Sequence, residues 1–117
     1  MPTSLAASCR RVPVRGLDFR LFDQGAGTPV LLLHGFPDDL EIWSGVIPHL
    51  LDAGYRVIAF DQRGFGDSSM PLGVQEYSTR KSVDDIPALL DELGIREPVL
   101  VMGHDWGAGI AWALAMF

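Results

Sequence analysis

A segment with two glycines around an aspartate is the strongest chemical signal in this sequence. Gly103-His104-Asp105-Trp106-Gly107 separates an apolar run, Pro98 to Met102, from a second apolar stretch. A nucleophile between a buried strand and a helix is held in a tight turn that exposes its side chain. A carboxylate there also lies at a helix N-terminus, whose free N–H groups stabilise negative charge. We therefore interpret Asp105 as a nucleophile, with Gly103 and Gly107 letting strand and helix approach closely.

A second segment, His34-Gly35-Phe36-Pro37, follows another apolar run. An isolated aspartate before a helix is more often a simple N-cap, and an isolated His-Gly pair an ordinary turn. Their combination favours a site in which the backbone N–H groups of Phe36 and Trp106 hold an oxyanion. Pro37 restricts the backbone of Phe36 and so supports this loop.

The two histidines of these segments are interpreted as supporting residues. We expect His34 to make structural hydrogen bonds, and the side chain of His104 to point away from the site into the packing of sheet or helix. His49, on a predicted helix, is expected to be solvated. The three histidines and the single cysteine, Cys9, fit no spacing of metal ligands, so no metal site is predicted.

An aspartate nucleophile favours particular electrophiles. A carboxylate that attacks an ester carbonyl would form a reactive anhydride, whereas attack on an sp3 carbon forms a stable alkyl ester that water can later cleave. This chemistry indicates the opening of an epoxide or the cleavage of a carbon–halogen bond in a small-molecule substrate.

Alternating strands and helices must position these segments. Short apolar or alternating runs predict strands at residues 11–15, 17–22, 30–33, 55–60 and 98–102. Apolar residues at helical spacing predict helices over 38–52, with an interruption at Pro48, over 78–93 and over 107–117. The last helix is apolar on all sides, which is typical of full burial. This order indicates an α/β fold with a mostly parallel sheet and flanking helices, and ligands bind such sheets at the carboxyl ends of the strands.

The two segments and a third, Asp61-Gln62-Arg63-Gly64-Phe65-Gly66-Asp67-Ser68, resemble motifs of the α/β-hydrolase superfamily, most closely of its epoxide hydrolase branch. The resemblance runs from about Val12 to Phe117. It implies the N-terminal half of that fold and conversion of epoxides to vicinal diols through an ester on Asp105. It also implies a cis Phe36–Pro37 peptide bond. No cofactor is expected.

A haloalkane or haloacid dehalogenase is the alternative within the same resemblance. Dehalogenases often carry Asn after the His-Gly pair or Arg after the nucleophile, and this chain has Phe36 and Trp106 at those positions. Both residues favour the epoxide hydrolase.

The resemblance also implies missing parts. Residues 1–10 are expected to be a flexible tail, and 11–117 a partial core domain truncated in the helix after the nucleophile. The acid and histidine of the triad, and a cap domain with two tyrosines that polarise the epoxide oxygen, are expected beyond Phe117. We therefore expect the 117 residues alone to be inactive. The competing hypothesis is a genuinely short protein without turnover.

The net charge and composition exclude several classes of binding partner. The chain has a formal charge of −6 and a pI near 4.8, which argues against nucleic acid and anionic membrane surfaces. No apolar run approaches the length that spans a bilayer. One cysteine cannot form an internal disulfide, and no secretory signal pattern precedes it, so a cytoplasmic location is expected. The oligomeric state is left open.

Overall fold

A computed structural model describes residues 5–116, except the side chains of Ala6 and Met116. Five strands form one sheet: β1 (Cys9–Val14), β2 (Leu17–Gln24), β3 (Pro29–Leu33), β4 (Arg56–Phe60) and β5 (Leu100–Gly103). The α-helices are α1 (Ile47–Asp52), α2 (Thr79–Glu92) and α3 (Trp106–Met116). Single 3-10 turns lie at Ala6–Ser8, Leu40–Trp43 and Val74–Tyr77.

The sheet is mixed, in the order β1-β2-β4-β3-β5. The first two predicted strands form a hairpin: β1 pairs antiparallel with β2 across a turn in which Arg15 and Gly16 have φ of 53° and 80°. Strand β2 then pairs antiparallel with β4. The three strands predicted to be parallel are parallel, because β3 pairs with β4 on one side and with β5 on the other. The carboxyl ends of these strands therefore lie at the same edge.

Two layers of helices cover the sheet and explain the uninterrupted apolar runs. Successive strand residues point to opposite faces. Leu31 and Leu33 of β3 pack in the cluster that contains α2 and α3, whereas Val30 and Leu32 pack in the cluster that contains α1 and the Leu40–Trp43 turn. Every residue of β3 is buried, because both of its faces have a helix layer.

The predicted helix over 38–52 is interrupted, as expected, but the interruption lies at residues 44–46 and not at Pro48. The structure divides it into the 3-10 turn Leu40–Trp43 and the short helix α1. Pro48 has no N–H to donate to a preceding turn, so it is accommodated only in the first turn of α1. In α2, by contrast, Pro87 lies inside an uninterrupted helix whose N-cap is Ser78.

The predicted tail over residues 1–10 falls partly on residues 1–4, which lie outside the described residues. The rest of it is ordered, which corrects the boundary at residue 11. Leu5 is buried in the cluster with α1, and Cys9 and Arg10 already pair with β2. Strand β1 begins two residues before the predicted boundary, because its backbone hydrogen bonds continue for as long as β2 lies beside it.

The last strand and helix are less buried than predicted. Strand β5 pairs only with β3 among the described strands, and Leu100 and Met102 are exposed. In α3, Ile110 is buried but Trp112 is 73% exposed. One face of each element therefore has no neighbour in residues 5–116. None of the helices described in this range is both long enough and apolar enough to cross a membrane.

Candidate active site

Asp105 lies in the two-residue connection between β5 and α3, at the carboxyl edge of the parallel strands. Its φ is 57°, a left-handed conformation that is rare for a residue other than glycine. The carbonyl of Asp105 accepts the N–H of Ala108 at 3.0 Å, so the helix starts directly at this residue. The chain thus turns sharply at Asp105, and its side chain is exposed.

The loop after β3 brings a donor to this carboxylate. The backbone N–H of Phe36 donates to Asp105 Oδ2 at 3.1 Å across 69 residues of chain. The Phe36–Pro37 bond is cis, as predicted. The N–H groups of Phe36 and then of Trp106 lower the pKa of the Asp105 carboxyl below its ordinary value. Both backbone groups named from the sequence therefore act on the same carboxylate.

Glycines permit the contact between the two loops and the start of α3. A Cβ on Gly35 would lie 2.5 Å from Asp105 Cβ and 2.8 Å from the carbonyl oxygen of His104. A Cβ on Gly107 would collide with the carbonyl oxygen of Leu33, and one on Gly103 with that of Gly107. These distances are shorter than real Cβ contacts, so larger side chains would separate β3, β5 and α3.

His34 is buried and holds the Phe36 loop to the loop after β4. Its Nε2 accepts the backbone N–H of Gln62 at 3.0 Å, and its Nδ1 donates to the carbonyl of Gly35 at 2.9 Å. The side chain of Gln62 donates to the His34 carbonyl at 2.7 Å. Burial lowers the pKa of His34, which keeps the imidazole neutral. Because both ring nitrogens are hydrogen-bonded, the imidazole has a structural role in this loop.

Asp61 and Arg63 brace the loop after β4. The buried carboxylate of Asp61 accepts the N–H groups of Leu40 and Asp67 and a bond from Arg20 Nε at 2.7 Å. Arg63 forms two hydrogen bonds with the buried carboxylate of Asp85, at 2.7 and 2.8 Å. The loop is therefore tied to β2 on one side and to α2 on the other.

The predicted position of His104 is wrong. Its side chain is exposed rather than packed into the sheet or helix, because β5 has no neighbouring strand beyond β3 in the described part. His49 is exposed on α1, as expected. In residues 5–116 no three histidine, cysteine or acidic side chains are grouped as metal ligands would be.

A cavity of about 340 Å³ opens beside the two N–H donors, and we call it the aromatic cavity. It is lined by Phe36, Arg63, Phe65, Tyr77, Ser82 and Trp106. Phe65, Tyr77 and Ser82 were not predicted from the sequence to belong to a site. The glycines on both sides of Phe65 were the available signal, since Gly64 and Gly66 have φ of 82° and 52°, and the ring between them packs against His34 and Phe36. No comparable signal marks Tyr77 or Ser82.

Comparison with known proteins agrees with this geometry. Residues 28–117 match the family described as the alpha/beta hydrolase fold. Epoxide hydrolase A of Mycobacterium tuberculosis is 44% identical over 105 residues, covering 88% of this chain and 32% of that protein. Epoxide hydrolase 3 of Siraitia grosvenorii is 42% identical over 106 residues, covering 91% of this chain and 33% of that protein.

Solved structures give the same result. A crystal structure of an epoxide hydrolase from Vigna radiata superposes with a TM-score of 0.88 at 40% identity, covering 93% of this chain and 35% of that one. Epoxide hydrolase A from Mycobacterium thermoresistibile superposes with a TM-score of 0.86 at 44% identity, covering 92% and 34%. The chain spans about a third of the length of these relatives. It belongs to the α/β-hydrolase fold family, of whose fold it forms the N-terminal part.

Proposed function

We propose that this chain carries the nucleophile and the oxyanion hole of an epoxide hydrolase. The supporting observation is the hydrogen bond from the Phe36 N–H to Asp105 Oδ2, made at a residue with a φ of 57°. The turn at Asp105 is then a nucleophile elbow, and the N–H groups of Phe36 and Trp106 are its oxyanion donors. The relatives that share this segment are named epoxide hydrolases.

The first step uses Asp105 as a carboxylate. One oxygen attacks an epoxide carbon, a C–O ester bond forms, and the epoxide C–O bond breaks. The alkoxide released on the neighbouring carbon takes a proton from an acid or from solvent. Because hydrogen bonds lower the pKa of Asp105, the nucleophile is ionised throughout the neutral range.

The second step uses the backbone donors. Water adds to the ester carbonyl of Asp105, and the N–H groups of Phe36 and Trp106 stabilise the tetrahedral oxyanion. Collapse of this intermediate releases a vicinal diol and restores the carboxylate. The net reaction is the addition of one water molecule to one epoxide. The cytoplasmic location expected from the sequence remains a prediction.

Trapping of the ester tests this function in the 117-residue chain. The chain is incubated with a small epoxide, digested, and analysed by peptide mass spectrometry. We expect a mass increase equal to the epoxide on the peptide that contains Asp105, and none on that peptide in Asp105→Asn. Exposed Asp52 on α1 provides an internal reference for non-specific alkylation. Equal modification of Asp52 and Asp105 would contradict the proposal.

A further inference from the structure

The peptide bond between Gly35 and Phe36 provides the N–H donor of the Phe36 loop, and both of its polar ends are hydrogen-bonded. This bond is trans and planar, so its C=O and N–H point in opposite directions. The N–H of Phe36 donates to Asp105 Oδ2 at 3.1 Å. The Gly35 carbonyl accepts the backbone N–H of Asp38 at 2.9 Å and lies 2.9 Å from His34 Nδ1. Any group that holds this carbonyl therefore also fixes the direction of the N–H.

The proton on the His34 ring is placed by a contact on the other side of the ring. A backbone N–H only donates, so the hydrogen bond from the Gln62 N–H at 3.0 Å requires an unprotonated Nε2. The proton of the neutral ring is then on Nδ1, where it donates to the Gly35 carbonyl. The ring is fully buried, and Phe65 packs edge-on against it with centroids 5.0 Å apart. The imidazole is therefore held in one orientation and one tautomer.

These contacts form a continuous row of hydrogen bonds that ends at the nucleophile. The row runs from the Gln62 N–H through the His34 ring and the Gly35–Phe36 peptide to the Asp105 carboxylate. In such a row each hydrogen bond polarises the next, so a donor to the carbonyl strengthens the N–H of the same peptide. Stabilisation of an oxyanion depends on donors that are oriented before the charge develops.

We propose that His34 is a positioning residue of the oxyanion hole, whose Nδ1–H holds the Gly35 carbonyl and thereby aims and strengthens the Phe36 N–H. This role goes beyond joining two loops, because it assigns the effect to one nitrogen of the ring. The inference rests on the proposed function where it concerns the oxyanion on Asp105. The orientation of the Phe36 N–H, in contrast, is measurable without any reaction.

Two amide variants separate the two nitrogens of His34. The side-chain nitrogen of asparagine reaches the place of Nδ1, whereas the side-chain amide of glutamine reaches the place of Nε2. His34→Asn therefore keeps the donor to Gly35 and loses the acceptor for Gln62, and His34→Gln does the reverse. The control is His49→Gln, which makes the same chemical change at an exposed position on α1.

NMR of the unreacted chain tests the arrangement itself. With 15N-labelled histidine, the native chain should show one ring protonated on Nδ1, and this signal should be absent from both His34 variants. With 15N-labelled phenylalanine, one of six amide signals belongs to Phe36 and is assigned by its loss in Phe36→Leu. We expect the proton shift of this amide to move upfield in His34→Gln and to stay near the native value in His34→Asn and His49→Gln.

Cleavage of the Asp105 ester by hydroxylamine tests the chemical consequence, because this nucleophile needs no general base from the chain. Its nitrogen adds to the ester carbonyl, the alkyl oxygen leaves with the proton lost from nitrogen, and Asp105 becomes a hydroxamate. We expect His34→Gln to slow this cleavage about tenfold to a hundredfold, since outright loss of one oxyanion donor costs about 10²–10³-fold. Ester formation should change far less, whereas a general loss of folded chain would slow both steps equally.

The native chain and the variants each provide a result that would overturn the positioning role. Protonation of His34 on Nε2 in the native chain would do so without any substitution. A native-like Phe36 amide in His34→Gln, or equal shifts in both His34 variants, would also do so, because Nδ1 would then have no effect of its own.

The positioning role and the proposed function fail separately. If no ester forms on Asp105 in the native chain, the proposed function is overturned, and the NMR signals still decide whether His34 aims the Phe36 N–H. If an ester forms but its cleavage is as fast in His34→Gln as in the native chain, the positioning role is overturned and the proposed function stands.

Discussion

Asp105 combines exposure with a stabilised charge, and this combination defines its predicted role. Its pKa is lowered by backbone N–H groups, which remain in place when neighbouring side chains are changed. In a chain extended to the length of the relatives, we expect Asp105→Ala to abolish turnover and His49→Ala to leave it unchanged. A single turnover in 18O-labelled water should place label in the Asp105 carboxylate, because water attacks the ester carbonyl. Label confined to the diol would exclude the ester.

Also at the scale of the residue, the buried His34 is expected to make the free energy of unfolding depend on pH. Burial disfavours the charged ring in the folded chain and lowers its pKa, and protonation would also place an Nε2–H against the N–H of Gln62. The unfolded chain binds this proton near pH 6.5, and stability must therefore fall as the pH drops below that value. The slope contributed by one such proton is at most about 1.4 kcal/mol per pH unit.

Urea unfolding between pH 7.5 and 5.5 measures this effect. We expect His34→Asn to be less stable at pH 7.5 but to lose less stability on acidification. His49→Gln, changed at an exposed position, should keep the original slope. An unchanged slope in His34→Asn would show that other groups account for the acid sensitivity.

At the scale of elements, two glycines of α3 make a matched pair. Gly107 packs against the backbone of β3, whereas a Cβ on Gly109 would meet no atom within 4 Å. We expect Gly107→Ala to lower the free energy of unfolding by about 1–3 kcal/mol, as overpacking does. Gly109→Ala should raise it by about 0.5–1 kcal/mol, because alanine favours a helix more than glycine. Thermal or urea unfolding of the two variants measures the contrast, and equal effects would contradict the close packing of α3 on β3.

At the scale of the whole molecule, the free side of β5 predicts self-association. Leu100, Met102 and Trp112 are exposed along β5 and α3. An apolar edge strand can pair with another chain, and a charge on the edge prevents this. We expect the 117-residue chain to sediment as dimers or larger species, and Leu100→Lys with Met102→Lys to shift it toward the monomer.

Leu72→Lys is the control, because Leu72 is also exposed but lies on the loop before α2. It should not change the sedimentation. A native chain that sediments as a monomer at the concentrations used would contradict the prediction.

Whether the 117-residue chain can turn over an epoxide also depends on the whole molecule, because turnover requires a general base. No histidine or acidic residue follows Asp105 in the 117 residues, and His34 has both ring nitrogens occupied. A general base typically contributes about 10²–10⁴-fold to such a step. We therefore expect at most one epoxide per chain to react, with the ester persisting for hours in quantitative mass spectrometry. Many diols released per chain would show that another residue, such as exposed His104, serves as the base.

Local patterns determined the elements and the reactive segment. Period-two runs, helical spacing and turn residues depend on neighbours in sequence, so the sequence predicts the first two strands, the order of strands and helices, and Asp105 between β5 and α3. The pairing of Phe36 with Asp105 was also predictable, because both segments follow parallel strands whose carboxyl ends meet at one edge. The boundaries at Pro48 and at residues 9–10 were less predictable, because they depend on which partner is available.

Tertiary structure alone decided the walls of the site. Phe65, Tyr77 and Ser82 come from a loop, a 3-10 turn and a helix, and no spacing rule relates them to Phe36 or Trp106. Their meeting follows from the packing of α2 against the sheet. The same is true of α3, whose uniformly apolar sequence predicts burial, although burial requires a neighbour on each face. A sequence pattern indicates which environment a residue favours, whereas the arrangement of distant elements determines which residues it contacts.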